Sequence, residues 1–155
     1  MSVADYPWFP MYIDLSAKRV VVVGAGRIAA RRVGVLADFC PNIAVVAPAI
    51  HPQIEALARD GRAQTRQRPF RDSDLEGADL VLACTDDGAL NGRIAVECRA
   101  RGIPVNVASD RTMCDFLFPG VARKGDLVIG VTAGGRDHAL AKRTTQAARE
   151  YLERE

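Results

Sequence analysis

Between residues 19 and 108 the chain alternates continuous aliphatic runs with stretches in which apolar residues recur at helical spacing. Residues 19–24 (RVVVVG) are apolar at successive positions, which fits a strand covered on both faces of a parallel sheet. A helix is expected over 26–39, where Ile28, Ala29, Val33, Leu36 and Ala37 fall near the helical repeat. Residues 43–47 (IAVVA) form a second strand, ended by Pro48. A helix over 50–60, a short polar strand over 63–68 and a buried strand within 78–86 (ADLVLACTD) follow. Asp86 or Asp87 suits the N-cap of a helix over 88–101, because a short carboxylate accepts from first-turn N–H groups. Gly102 stops that helix, and 103–108 (IPVNVA) supplies the next strand.

The pattern changes after residue 112. Residues 116–132 (FLFPGVARKGDLVIGVT) hold two strand-like runs joined at Arg123–Asp126, with Leu127, Ile129 and Val131 alternating as a half-buried antiparallel strand does. Pro119 puts the first run at an edge or bulge. A helix is expected over 137–153, with Leu140, Ala147 or Ala148, and Tyr151 on one face. A hairpin and one helix bury little apolar surface alone, so residues 113–155 are expected to pack on a second subunit as a dimerisation segment.

Length and composition narrow the classes. With 155 residues, 48% hydrophobic and 26% charged, the chain has room for a single core plus a short appendage. No apolar run approaches the ~20 residues of a membrane span, and the start, with Asp5 and Asp14, lacks a signal-peptide pattern, so a cytoplasmic protein is expected. Cys40, Cys84, Cys98 and Cys114 form no CxxC pair and read as reduced, buried thiols with no metal site. A net charge of +2 does not suggest a nucleic-acid partner.

The chemistry concentrates at the ends of the strands. Gly24 and Gly26 stand where strand becomes helix, and Ala30 lies one position beyond the place of the third glycine in a GxGxxG fingerprint. Such a turn needs no Cβ, lets backbone approach a diphosphate and aims helix N–H groups at the anion; an ordinary α/β turn is the alternative. The second strand ends in Ala47-Pro48-Ala49, where an acidic residue would bind ribose hydroxyls, so NAD and NADP are not distinguished there. The loop 83–91 (ACTDDGALN) offers Thr85, Asp86 and Asn91 at the carboxyl end of another strand, either to a ligand or as helix caps. Residues 1–112 are thus expected to be an α/β, Rossmann-like domain, a parallel sheet with helices on both faces, with the small antiparallel hairpin and helix after it.

The segments FPMYIDLSAKRVVVVGAGRIAARRV, VVAPAI, VLACTDDGALN, PVNVAS, CDFLFPGVARKGDLVIGVTAGG and ALAKR resemble, in order and spacing, the precorrin-2 dehydrogenase and sirohydrochlorin ferrochelatase family, the N-terminal module of siroheme synthase. The resemblance spans about residues 7–152, and the CDFLFPGVARKGDL block is its most specific part. It implies NAD-dependent oxidation of precorrin-2 to sirohydrochlorin, followed in some members by insertion of ferrous iron, in a homodimer joined through the segment that begins near Cys114. It places NAD on Gly24, Gly26, Arg27 and Ile28, on Pro48 and Ala49, and near Thr85 and Asp86. The tetrapyrrole substrate carries several carboxylates, and Arg111, Arg123, Lys124 and Arg136 are the expected cations for it.

The chain departs from the family in three places. Where members read NVVDDP, this chain reads NVASDR, so Ser109 takes the position of the aspartate held responsible for acid–base work and chelation, and a carboxylate follows at Asp110. A serine cannot act as a base without a partner. Where members read SxGGxSPxLA, this chain reads TAGGRDHALA, with Ala133 for a serine and Asp137–His138 for Ser-Pro. An imidazole exchanges protons near neutrality, so His138 joins Ser109 and Asp110 as a candidate catalytic residue, while His51 is expected to be a surface or capping residue. Members continue past the final helix into a region that closes over the tetrapyrrole, and this chain ends at Glu155, which implies a more open site. The alternative to an enzyme is a sensor module that binds NAD or the tetrapyrrole without turnover.

Overall fold

The computed structural model describes residues 6–155; Asp5 lies outside the described residues. Two compact units are present, one of residues 14–116 and one that joins the described residues up to Ile13 with Leu117–Glu155.

In the first unit the elements are β1 (Arg19–Val23), α1 (Arg27–Leu36), β2 (Asn42–Ala47), α2 (Pro52–Arg59), β3 (Gln64–Gln67), β4 (Leu80–Ala83), α3 (Gly88–Ala100) and β5 (Val105–Val107). The strands form one parallel sheet in the order β3-β2-β1-β4-β5. The chain steps outward from β1 to β3, then returns to β4 on the other side of β1. Right-handed crossovers therefore put α1 and α2 on one face and α3 on the other. Val20 to Val23 are each at most 1% exposed, as a strand covered on both faces requires. Val21 and Val23 pack with Val81, Ala83, Ile94, Ala95, Cys98, Val105 and Val107 under α3.

Both sheet edges are managed by side chains. β3 is polar and exposed throughout, which discourages pairing with a further strand. It is tied down by Asp74, in a 3-10 turn (Asp72–Leu75): Arg66 donates to its Oδ1 at 3.0 Å, Arg68 at 2.6 Å, and the Arg71 N–H to Oδ2 at 2.8 Å. The Arg68 hydrogen bond leads in holding this buried carboxyl at about 2, against the opposing effect of burial. At the other edge the β5 backbone is met by a non-strand segment. Asp115 Oδ2 accepts from the Val105 N–H at 2.9 Å, the Cys114 thiol lies 3.2 Å from both Val107 N and O, and Asn106 Nδ2 donates to the Phe116 carbonyl at 2.9 Å.

The second unit holds an antiparallel pair, β6 (Gly120–Lys124) and β7 (Leu127–Val131), and helix α4 (His138–Arg154). α4 packs so closely on β6 that a Cβ at Gly120 would lie 2.0 Å from Thr145 Oγ1, so only glycine fits there. Tyr12 Oη donates to the Val128 carbonyl at 3.1 Å, which anchors the N-terminal segment to β7.

Two expectations need correction, on the extent of α1 and on the burial of the cysteines. The helix expected over 26–39 ends at Leu36, because Asp38 and Phe39 switch to bonds three residues back, to Val35 and Leu36. In α4 the face carrying Thr145 and Leu152 is the one seated within this unit, and the face shared by Leu140 and Tyr151 is 46% and 51% exposed at those residues. The hairpin seats the stripe rotated away from the one with the larger apolar residues. All four cysteines are free, yet only Cys40 and Cys98 are buried; Cys84, directly after β4, and Cys114, directly after a 3-10 turn at Arg111–Met113, are half-buried.

Candidate functional site

The carboxyl ends of β1, β2, β4 and β5 gather the loops that carry the polar residues of the first unit. Between β1 and β4 the chain direction across the sheet reverses, which in an open parallel sheet leaves a crevice for a ligand. The glycine turn after β1 borders that crevice.

Gly24 is required by the fold itself. Its φ is +100°, and a Cβ there would meet the Cys84 carbonyl carbon and oxygen at 2.6 Å and the Thr85 nitrogen at 2.8 Å. Gly26 is different: its φ of −85° suits any residue, and a Cβ there would have no protein atom within 4 Å. Gly26 is the N-cap of α1, which has no side-chain cap and no acidic residue in its first turn. By contrast Asp87 caps α3 through the N–H groups of Ala89 and Leu90 at 3.0 and 3.1 Å, and His51 caps α2. Undirected first-turn N–H groups behind a residue with no side chain form a cradle for an anion. These residues fit a dinucleotide diphosphate, with exposed Arg27 and Ile28 at the mouth of the turn.

The loops on either side are tied to this turn. The Gly24 N–H donates to the Val46 carbonyl at 2.9 Å and the His51 N–H to the Ala25 carbonyl at 3.0 Å, so Pro48 and Ala49 are exposed beside it. On the β4 side, buried Asn91 organises the loop. Its Oδ1 accepts from Thr85 Oγ1 at 2.6 Å and from the Thr85 N–H at 3.2 Å, and its Nδ2 donates to the Thr85 carbonyl at 3.0 Å and to Ser109 Oγ at 3.2 Å. Thr85 and Ser109, on the loops after β4 and β5, are thereby joined. With its oxygen accepting from Asn91, Ser109 keeps its own O–H to donate elsewhere.

Asp110 caps the short 3-10 turn Arg111–Met113. Its Oδ1 accepts from Thr112 Oγ1 at 2.5 Å and from the Thr112 N–H at 2.9 Å, and these bonds hold its pKa below the ordinary value. Oδ2 remains as an acceptor. Asp86 is exposed in the β4 loop, one residue before the Asp87 cap.

The remaining predicted residues divide between the units. Arg111 belongs with Asp110 in the first; Arg123, Lys124, Arg136 and His138 belong to the second. There Arg123 and Lys124 end β6 at the hairpin turn, whereas Arg136 and His138 follow the opposite end of β7. They do not form one cluster within that unit. His51 is a cap, as expected.

Two contributors were not anticipated. Arg32 donates from Nη1 to Asn106 Oδ1 at 2.6 Å and lies 3.9 Å from the Cys84 sulfur, behind the glycine turn. Burial lowers its pKa and pushes the Cys84 thiol up, so that thiol stays protonated. The signal was present: Arg32 lies one helical turn from Ala29 and Leu36, beside the buried stripe. Asn106, inside an aliphatic strand, could have been read as a buried polar partner.

The family model described as "Putative NAD(P)-binding" matches residues 11–120. The chain belongs to this NAD(P)-binding family. Within the family's neighbourhood, the siroheme synthase of Pseudomonas entomophila (strain L48) is 38% identical over 135 residues, 87% of this chain and 29% of that protein. The siroheme synthase of Pseudomonas aeruginosa (strain PAO1) is 36% identical over the same share of both chains. This chain therefore spans under a third of the length of these relatives. The solved structure named SirC, precorrin-2 dehydrogenase, superposes with a TM-score of 0.76 over 94% of this chain and 74% of that one, at 24% identity, and shows the same fold. Among the described residues no helix is long and apolar enough to cross a membrane, and no group of three or more His, Cys, Asp or Glu is placed to hold a metal ion.

Proposed function

We propose that this chain is a cytoplasmic, NAD-dependent precorrin-2 dehydrogenase that yields sirohydrochlorin in siroheme biosynthesis, acting as a homodimer. The observation that carries the reading is Gly26: a glycine that neither backbone angle nor neighbouring atoms demand, heading a helix that nothing caps, in a chain similar over 135 residues to siroheme synthases. The nicotinamide ring of the bound dinucleotide would supply the hydride acceptor. The first-turn N–H groups of α1 would hold the diphosphate, with Arg27 and Ile28 at its edge, Pro48 and Ala49 at the ribose, and Thr85 and Asp86 on the β4 side. Ser109, oriented by Asn91, donates a hydrogen bond into the site.

Loss of hydride from the substrate leaves a proton to be removed, and Asp110 Oδ2 is the group proposed to take it. Because Thr112 keeps this carboxyl ionised, it is ready as an acceptor at neutral pH, though a weak base. His138 is a second proton carrier in the proposal, and Arg111, Arg123, Lys124 and Arg136 are assigned to the substrate carboxylates. Ferrous iron would enter only as a further substrate after oxidation.

An anaerobic assay with precorrin-2 and NAD, following NADH and sirohydrochlorin absorbance, tests this. Native protein is expected to turn over, and Asp110→Asn, which preserves the cap, to lose about 10²-fold or more in kcat with unchanged NAD affinity. A full rate in Asp110→Asn would remove the proton role. NAD binding without turnover by native protein would favour the sensor reading, to which the replacement of the family aspartate by Ser109 lends support. Adding ferrous iron to sirohydrochlorin in the same vessel tests insertion against the spontaneous rate.

A further inference from the structure

Asn91 is a buried amide whose orientation its neighbours settle. The Thr85 N–H can only donate, so the amide atom 3.2 Å from it is Oδ1; the Thr85 carbonyl can only accept, so the atom 3.0 Å from it is Nδ2. Ser109 Oγ therefore faces an N–H donor, at 3.2 Å, and must accept from it. The hydroxyl proton of Ser109 points away from Asn91. The Thr85 hydroxyl is committed the other way, with its proton held inside on Asn91 Oδ1 at 2.6 Å and the Asp87 carbonyl at 3.1 Å as its second acceptor. Of the two hydroxyls at these strand ends, that of the exposed Ser109 is the one left to donate outward.

The strand order says which part of a dinucleotide would meet this donor. The sheet runs β2-β1-β4-β5, with the diphosphate cradle at the turn after β1 and Pro48 and Ala49 after β2. An adenosine ribose lies on the β2 side in such a sheet, which leaves the other half of the molecule over the ends of β4 and β5. Neighbouring strands are about 4.8 Å apart, so β5 ends about 10 Å from the β1 turn, within reach of a ribose and its base. The loops after β4 and β5 leave the sheet side by side, since the Ala108 N–H donates to the Ala83 carbonyl at 2.9 Å. The nicotinamide ring has a single hydrogen-bonding group, its carboxamide, with one carbonyl acceptor and one amino donor. A hydroxyl obliged to donate matches the carbonyl.

We propose that the Ser109 hydroxyl donates to the carboxamide carbonyl of the nicotinamide ring, and that Asn91 is the positioning residue that sets the direction of this bond. The proposal rests on the dinucleotide reading above.

Calorimetric titration of the whole chain with NADH, whose ring is uncharged, and with ADP-ribose, which lacks the ring, tests both parts. Ser109→Ala is expected to weaken NADH by about fivefold and to leave ADP-ribose within about twofold of native. Ser109→Thr, which restores a hydroxyl at an exposed position, is expected to recover the NADH affinity. Asn91→Asp keeps the acceptor for Thr85 but shows Ser109 an acceptor in place of a donor, so the Ser109 proton turns inward. It is expected to reproduce the NADH-specific loss, with no further loss when combined with Ser109→Ala. Unchanged NADH affinity in Ser109→Ala, or equal losses on both ligands, overturns the carboxamide contact. Unchanged NADH affinity in Asn91→Asp, equal losses on both ligands, an additive double variant or a chain that no longer folds overturns the positioning role of Asn91. Native protein that binds neither ligand overturns the dinucleotide reading itself.

Discussion

Two glycines two residues apart do different work. At Gly24 a side chain would be strained by positive φ and would strike the β4 backbone, so Gly24→Ala is expected to destabilise the fold by about 1–3 kcal/mol. At Gly26 a side chain meets only open space, and the folded chain tolerates it. Gly26→Val is therefore expected to change stability by about 1 kcal/mol or less in urea unfolding, yet to weaken NAD by about tenfold or more in titration. Unchanged affinity in Gly26→Val would mean that no ligand approaches this turn. Asn91 acts at the same scale: one buried amide, with both its donors and its acceptor used, connects two loops whose residues would otherwise move independently.

At the scale of elements, β3 has its backbone pairing with β2, and a single carboxylate ties down its side chains at the sheet edge. It has four exposed residues and little apolar area of its own, and Asp74 receives Arg66 from that strand, together with Arg68. Removing the charge leaves two guanidinium groups short of a partner, so Asp74→Asn is expected to cost about 2–4 kcal/mol. Because the folded-state pKa of about 2 lies below the ordinary 3.8, the stabilisation is present above pH about 4 and is lost as pH falls through 2. Denaturant unfolding measured from neutral to acid pH should show the native protein losing more stability over that window than Asp74→Asn. Parallel acid curves would show that the pair contributes nothing. α4 is governed by packing instead: the fit of Gly120 against Thr145 selects which stripe of the helix is seated.

At the scale of the whole molecule, the second unit exposes more apolar surface than a free unit would be expected to keep. Leu127 is 55% exposed, Leu140 46% and Tyr151 51%, and the N-terminal segment adds Phe9 at 83% and Met11 at 73%. The proposed homodimer would cover this surface. Light scattering is expected to report about twice the 16.7 kDa chain mass, and Leu140→Glu with Tyr151→Glu to give folded monomers, since neither residue belongs to the buried stripe of α4. A native protein that is monomeric at micromolar concentration would remove the proposal. Much of this architecture could be read along the chain. The aliphatic runs, the glycine turn, an acidic cap at Asp86 or Asp87 and the hairpin all express spacings set by covalent geometry, which one segment carries by itself. The sequence by itself therefore determined a parallel α/β unit, its first turn and the appended hairpin and helix. Tertiary structure alone decided which face of α4 is buried, that Asn91 meets Ser109 eighteen positions away, that Asp74 gathers two arginines, and that residues 114–116 close the β5 edge. Each depends on where a crossover sets two distant segments side by side, and a polar side chain has no partner until packing provides one.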